Sequence, residues 1–196
     1  KQPKRLGDLQ GEYFSLEMWH ETGAQKDHTI RRETGFPKTD HELILSGPHF
    51  FVANPFNKTP RASCTQNSHY DIIDLTIFPE DYLPRTNYVP DCELIEYKRR
   101  IPCVPWEVKN SAGQLIRPKV TDFYRIAFRA MIGSSAERTL IGSIMPPNLG
   151  HINGVQSSAF KSGLMLLVVT ALTSSVVADF YVKSTGRSNL HGIWKT

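Results

Sequence analysis

Hydrophobic and polar positions alternate most clearly at residues 123–132. The positions of one parity are all apolar: Tyr124, Ile126, Phe128, Ala130 and Ile132. Those of the other parity include Arg125 and Arg129, four residues apart. Successive side chains of a strand point to opposite faces of a sheet. The pattern therefore predicts a strand with one apolar face and one face that carries two arginines.

A turn and a second extended run follow this strand. Small residues fill positions 133–136, and an apolar run at 138–145 ends at Pro146 and Pro147. Two extended runs joined by about four small residues predict an antiparallel hairpin. Two interpretations of its polar face stay open at this point. The arginines are either solvated, or they meet an anion such as a DNA backbone.

The C-terminal part has a helical pattern. Apolar residues recur at three- and four-residue spacing over 160–172 and again over 176–181. Thr173, Ser174 and Ser175 predict a kink between them or the start of a second helix, and Gly186 is a plausible stop. Residues 162–178 carry no charge, but they are short for a membrane span and contain several Ser and Thr residues. We therefore expect a buried helix of a soluble domain.

The rest of the chain completes an α+β prediction. Residues 1–40 are polar and predict an irregular segment, whereas 43–45, 49–53 and 70–78 have the composition of strands. Three prolines make 79–92 a stiff, extended loop. The predicted fold is a twisted, mainly antiparallel sheet with a C-terminal helix packed on it.

Composition narrows the function only slightly. The chain has 196 residues, a net charge of +4 and an isoelectric point near 9.0, which permits a nucleic-acid partner without requiring one. Three cysteines without CxxC spacing favour a reducing cytoplasm over a disulfide framework and make a poor zinc site. The chain begins without methionine and ends at Trp194-Lys195-Thr196, which suggests a piece of a longer protein.

Two local motifs have catalytic counterparts. Asn54-Pro55-Phe56 is similar to the Asn-Pro-Pro-aromatic loop of amino methyltransferases, but it lacks the second proline, and a turn is the better interpretation. Asp91, Glu96 and Lys98 imitate the carboxylate and lysine pattern of metal-dependent nucleases. Only four residues separate Asp91 from Glu96, which leaves little room for the two strands that such sites use. A metal-dependent nuclease segment is kept as the alternative function.

Four longer strings carry a family resemblance. They are LSGPHFFVANPFNKTPR (45–61), YDIIDLTIFPEDYLPRTNYVPD (70–91), FYRIAFRAMIGSSAERTLIGSIMPP (123–147) and LLVVTALTSSVVADFYVKSTGRSNLH (166–191). Together they resemble the target recognition domain of adenine-specific DNA methyltransferases. These belong to the type II restriction-modification and phage-defence proteins, with a TaqI-type C-terminal specificity domain. The resemblance covers about residues 41–191; 1–40 would precede the domain, and 192–196 would be a truncated end.

The resemblance implies a non-catalytic module that binds double-stranded DNA. The S-adenosylmethionine cofactor and the catalytic methyltransferase domain would belong to another part of the same chain, and this segment would hold no cofactor. Such enzymes flip an adenine out of the duplex and methylate its N6. The residues expected to contact DNA are Lys58, Arg61, Arg85, Asn87, Arg125, Arg129 and Arg138. Burial of Arg129 and Arg138 in ion pairs with Glu137 or Asp122 remains an alternative, as does a structural domain that bridges parts of the parent enzyme.

Overall fold

A computed structural model describes residues 6–51, 54–66, 68–77, 79–133 and 135–190. Its strands are β1 (Tyr13–Leu16), β2 (Ile30–Gly35), β3 (Ile44–Leu45), β4 (Lys58–Pro60), β5 (Tyr70–Ile72), β6 (Thr86–Pro90), β7 (Val108–Lys109), β8 (Leu115–Ile116), β9 (Arg125–Arg129), β10 (Gly142–Met145), β11 (Gly150–His151) and β12 (Val155–Phe160). Its α-helices are α1 (Glu21–Lys26), α2 (Leu94–Arg100), α3 (Gly163–Thr173) and α4 (Val176–Ser184). Short 3-10 helices lie at Leu6–Leu9, Asp40–Glu42, Gly47–His49 and Val120–Asp122. The fold is α+β, and most of its strand pairs are antiparallel.

A four-stranded antiparallel sheet in the order β1-β12-β9-β10 forms the centre. Ile126 of β9 lies opposite Ile144 of β10 on one side and Ser158 of β12 on the other. The predicted antiparallel hairpin is therefore confirmed, although its second strand begins at Gly142 and not at Arg138. Because β12 pairs with its other edge, β9 is an interior strand.

Both faces of β9 are covered, so the interpretation of a fully solvated arginine face, one of the two left open, is not observed. Ile126 and Phe128 pack against α3 and α4, whereas Ala127 packs on the other side in a cluster with Leu45 and Met145. Arg125 is 0% exposed. Alternation shows that the two faces differ in residue type, but it does not show whether the second face meets water or another layer of protein.

Residues 6–40 contain regular structure, contrary to the prediction of an irregular segment. Strand β1 is the edge of the central sheet, and β2 pairs with β6. The predicted stiff loop at 79–92 is thus a strand over Thr86–Pro90. Tyr97 of α2 and Trp19 lie in the core beside this second sheet, where Trp19 Nε1 donates a hydrogen bond of 2.9 Å to the Tyr97 hydroxyl.

Three predicted strands are shorter than expected or absent. Residues 44–45 form β3, in a parallel pair with β11, and the run predicted at 70–78 is a strand only over Tyr70–Ile72. The run predicted at 49–53 starts in a 3-10 helix. Its residues 52–53, residue 78 and the chain end at 192–196 lie outside the described residues.

The predicted break in the C-terminal helix is confirmed, because α3 and α4 meet at Ser174 and Ser175 with a bend of 64°. Both helices begin with a serine cap: Ser162 Oγ accepts from the Met165 amide, and Ser175 Oγ accepts from the Ala178 amide. In the described part of the chain, no single helix is long and apolar enough to cross a membrane, while this bent pair passes the same test by length and composition. The prediction of a buried helix is wrong, because only one side of each helix packs on the protein.

Candidate nucleic-acid interface

A polar cleft opens where β9 ends. It consists of two hollows of about 290 and 310 Å³ that share Glu21, Ser46 and Ile152 as wall residues. We call this the central cleft. Its other polar wall residues are Arg32, Thr65, Gln66, Tyr70, Asn87, Tyr88, Arg129, Asn153 and Asn189.

The floor of the central cleft depends on a close approach of two loops. A Cβ atom on Gly47 would lie 3.1 Å from the Gly154 carbonyl oxygen and 3.3 Å from the Arg129 Cγ. A side chain at position 47 would therefore push against the backbone of the opposite loop and against the arginine. Glycine at this position allows the Arg129 stem to lie along the floor.

Arg129 is the cleft residue whose charge is least compensated. Its side chain is half-buried, and it forms no ion pair or hydrogen bond with the part of the chain that the structure describes. Guanidinium groups in partly buried sites normally have carboxylate or carbonyl partners, because burying a charge without a partner is costly. Arg129 is therefore suited to accept an external group that offers hydrogen-bond acceptors.

One carboxylate is fixed in the same cleft. The Glu21 carboxylate accepts a short hydrogen bond from the Tyr88 hydroxyl, and the Glu21 amide donates to Asn153 Oδ1 at 3.0 Å. Burial, with the neighbouring Glu21, raises the pKa of Tyr88 above its usual value, so the phenol stays protonated and remains a donor. The cleft thus presents an acceptor group close to a cationic donor group.

Asn87 supports the wall of the cleft through a hydrogen-bond network. Its Nδ2 donates to the Tyr70 hydroxyl at 2.8 Å and to Cys64 Sγ at 3.1 Å, while its Oδ1 accepts from the Thr34 hydroxyl at 2.9 Å. Burial raises the pKa of Tyr70 to about 12. Asn87 is only 7% exposed. In this conformation both of its amide hydrogens are used, so it has no donor left for a base.

The remaining predicted DNA contacts fall at different places. Lys58 and Arg61 belong to the β4–β5 hairpin, the same hairpin that supplies Thr65, Gln66 and Tyr70 to the cleft wall. Arg61 pairs with Asp71 at 2.8 Å on the surface. Arg85 lies over the Phe36 ring, with its guanidinium carbon 4.7 Å from the ring centre.

Arg138 and Arg125 are held by the protein itself. Arg138 lies 3.6 Å from the buried Asp179 carboxylate and donates to the Ser174 carbonyl at 2.9 Å. The expectation of an ion pair is met for Arg138, but its partner is Asp179 and neither Glu137 nor Asp122. Arg125 donates a short hydrogen bond to the Leu149 carbonyl, and its Nε and Nη1 have no partner among the described residues. Burial lowers the pKa of Arg125 to about 9.

The two carboxylates of the alternative nuclease site, Asp91 and Glu96, are engaged elsewhere. Asp91 pairs with His28 at 2.8 Å and with Arg31 at 3.4 Å, and Glu96 accepts hydrogen bonds from Arg99 and Arg100. These hydrogen bonds lower the pKa of Glu96 to about 2. Within the described ranges, no group of three or more His, Cys, Asp or Glu side chains is placed to hold a metal ion. Asn54 forms the predicted turn, its Oδ1 accepting from the Phe56 amide at 2.7 Å.

A larger hollow lies along the edge strand β1. It measures about 570 Å³, and among the described residues that line it the ionisable ones are Tyr13 and Glu17. A surface whose only full charge is a carboxylate repels nucleic-acid phosphates. For this reason the central cleft is the better candidate for a nucleic-acid interface, although each of its two hollows is smaller than the hollow along β1.

Comparison with protein-family models, with curated proteins and with solved structures finds no match to this chain. The assignment of the candidate site therefore rests on the geometry of the cleft. Sequence analysis identified Arg129 and Asn87 in its wall but missed Glu21, Arg32 and Asn153. Glu21 and Arg32 lie in the segment predicted to be irregular and carry no distinguishing sequence signal. Asn153 precedes Gly154, but a polar residue beside a glycine is too frequent to select it without the fold.

Proposed function

We propose that this chain is a duplex DNA recognition module that reads base edges with the central cleft. The observation that carries the proposal is the half-buried Arg129, which has no anionic partner among the described residues. Arginine donates two parallel hydrogen bonds to the O6 and N7 atoms of guanine, the commonest specific contact in the major groove. Guanine is accordingly the base that this side chain would select.

Glu21 favours a base edge over a phosphate as the group that enters the cleft. A phosphate beside Arg129 would also meet the Glu21 carboxylate, and like charges repel. A base pair offers acceptors and donors together: guanine accepts from arginine, and the cytosine N4 amino group donates to a carboxylate. The Arg129 and Glu21 pair therefore matches the mixed hydrogen-bond pattern of a base pair, and Asn153 adds an amide that can do either.

Lys58 and Arg61 supply the second kind of contact. Phosphate contacts fix the register of a protein on DNA without reading its sequence. Both residues lie on the hairpin that forms one wall of the cleft, so they would meet the backbone beside the base pair that is read. Arg32, an exposed residue of the cleft wall, would serve the same purpose.

The family resemblance extends this proposal to a parent enzyme. In that account the module belongs to an adenine-specific DNA methyltransferase of a restriction-modification or phage-defence system in the cytoplasm. The catalytic domain and its S-adenosylmethionine would occupy another part of the chain. The recognition module would hold the duplex while the target adenine is flipped out.

Selection from a pool of duplexes with a randomised centre tests the proposal. The wild-type chain should enrich sequences with a fixed G·C pair, and Arg129→Ala should lose preference at that pair while keeping residual binding. Arg117→Ala is the matched control. It removes the same charge from the β7–β8 hairpin region, where the side chain is exposed beside Glu107. Equal enrichment by wild type and Arg129→Ala would contradict the proposal, as would the absence of any enrichment.

A further inference from the structure

The outer faces of α3 and α4 form an apolar surface that no described residue covers. Its exposed side chains are Leu164, Leu167, Val168, Leu172, Val176, Val177, Phe180 and Tyr181, each at least 45% exposed. In α3 they recur at intervals of three and four residues, and in α4 they fall at 176, 177, 180 and 181. Both patterns place them on one side of each helix. We call this surface the helix patch.

The opposite sides of the two helices explain why the patch faces outward. Leu166 and Val169 of α3 and Val182 of α4 are buried in the same cluster, together with Ile126 and Phe128 of the central sheet. Asp179, also on the inner side, accepts from the Thr139 amide at 2.8 Å and the Leu140 amide at 2.6 Å. Because both inner sides are anchored on one core, both outer sides point away from it.

The helix patch is large enough for a stable interface. A fully exposed aromatic side chain presents ~150–250 Å² and a Leu or Val side chain less, so the eight partly exposed side chains together expose on the order of 700 Å². The largest apolar patch of a typical monomer is about 300–600 Å². A standard protein interface buries about 800 Å² on each partner. The patch thus exceeds what a monomer normally exposes and approaches the area that each partner of a standard interface buries.

We infer that the helix patch binds a second copy of this chain in a symmetric dimer. In a twofold interface the same surface meets itself, so any charge in the patch would meet its like. None of the eight exposed side chains is charged. The patch is therefore complementary to itself in a way that a charged surface cannot be.

Three basic side chains near the patch are bound within the protein, and the exposed Arg187 after α4 is the one nearby cation without a side-chain partner among the described residues, which disfavours an anionic membrane as the occupant. Lys161 pairs with Glu12 at 3.4 Å, Lys183 donates to the Ala136 carbonyl at 2.9 Å, and Arg138 pairs with Asp179. Helices that lie on a membrane surface normally direct free Lys and Arg side chains toward lipid headgroups. Here those three side chains are committed to protein partners, so the second copy is the better match.

Sedimentation equilibrium of the whole chain over micromolar to submillimolar concentrations tests this inference. The expected mass is twice 22.2 kDa. Association should persist when salt is raised, because burial of apolar surface does not depend on screened charges. Binding to DNA, in contrast, weakens steeply with salt. The two proposals can therefore fail independently.

Paired variants locate the interface. Leu167→Glu together with Phe180→Glu should raise the dimer dissociation constant by at least ~100-fold, because like charges would meet across the twofold axis. Ile95→Glu is the matched control: Ile95 is 85% exposed on α2, outside the patch, and should leave the dimer intact. Circular dichroism checks that both variants keep the fold.

A wild-type mass of 22.2 kDa at every concentration would overturn the inference. So would a dimer that the paired variant leaves unchanged. Flotation of the monomer with phosphatidylcholine or phosphatidylserine vesicles, abolished by the same paired variant, would assign the patch to a lipid surface instead and would equally overturn it.

Discussion

Arg125 and Arg129 occupy the same strand and the same parity, yet the protein treats them in opposite ways. Arg125 lies at the start of β9 beneath Leu149 and is sealed from water. Arg129 lies at the end of β9, where the approach of Gly47 and Gly154 leaves a cleft. The comparison teaches that the layer above a strand position, and not the strand pattern, decides whether an arginine is structural or available to a ligand.

The largest expected effect concerns acid stability at the buried end of the strand, where His151 lies near Arg125. Burial, with the neighbouring Arg125, lowers the pKa of His151 from 6.5 to about 3. Its geometry fits a neutral ring: Nδ1 donates to the Ile152 carbonyl at 3.0 Å, and Nε2 accepts from the Ser157 hydroxyl at 2.8 Å. The unfolded chain takes up a proton below pH 6.5, whereas the folded chain does not.

Stability from this group is complete above pH 6.5 and declines as the pH falls toward 3. The full loss amounts to about 5 kcal/mol at 1.36 kcal/mol for each pKa unit. Urea unfolding at pH about 7.5 and about 4.5 should show about 3 kcal/mol of this loss, because only about two pH units of the titration lie between pH 6.5 and pH 4.5. His151→Gln keeps a donor and an acceptor but cannot titrate, so it should flatten the pH dependence. An equally steep dependence in this variant would contradict the assignment.

The second prediction concerns the effect of Arg125, at the buried end of β9, on the stability of the fold. Arg125→Met removes a buried charge with two unpartnered nitrogens and keeps most of the side-chain volume. Replacing a poorly compensated buried charge by an apolar residue is often stabilising, so the free energy of unfolding should rise by ~1–3 kcal/mol. Urea unfolding provides the measurement. A loss of stability of similar size would show that Arg125 holds a necessary contact, such as the one to Leu149.

The third prediction concerns the effect of Arg129, at the open end of β9, on DNA binding. Arg129→Ala should weaken binding to a preferred duplex by ~1–3 kcal/mol, the contribution of one good bidentate contact. It should change the free energy of unfolding by less than ~0.5 kcal/mol, as expected away from packed or paired groups. Fluorescence anisotropy and urea unfolding of the same preparations measure the two quantities. A large loss of stability with unchanged binding would show that Arg129 has a structural role and does not contact DNA.

The smallest effect concerns the β4–β5 hairpin beside the cleft. Lys58→Ala should reduce the slope of log binding constant against log salt by about 0.9, the value for one phosphate contact. It should weaken binding to all sequences alike, because phosphates carry no sequence information. An altered base preference, or an unchanged slope, would remove Lys58 from the backbone contacts.

Sequence patterns predicted local structure better than they predicted burial. The β9–β10 pairing follows from the alternation at 123–132, and the break between α3 and α4 follows from Ser174 and Ser175. Burial of Arg125 could not be predicted, because it depends on residues 43–50 and 149–151 folding over the sheet. The exposed helix patch was missed, because an uncharged helix has the same composition whether it is buried in the core or exposed on the surface.

The candidate site was only partly predictable from the sequence, because several of its residues come together only in the folded chain. Arg129 was identified because it lies on the polar face of the predicted strand, within a string that carries the family resemblance. Glu21 and Asn153 were missed, because they meet only through the hydrogen bond between the Glu21 amide and Asn153 Oδ1 across 132 residues of sequence. Asn87 was predicted from its loop composition, but the structure shows that its amide is used by Thr34, Tyr70 and Cys64.

The most direct test compares the two arginines in one binding experiment. The dissociation constants of wild type, Arg125→Met and Arg129→Ala are measured for one duplex from the selected pool at one salt concentration, with Arg117→Ala as the charge control. Our account predicts that Arg129→Ala alone binds at least ~10-fold more weakly. Equal weakening by Arg125→Met or Arg117→Ala, or no weakening by Arg129→Ala, would contradict the assignment of the central cleft as the recognition surface.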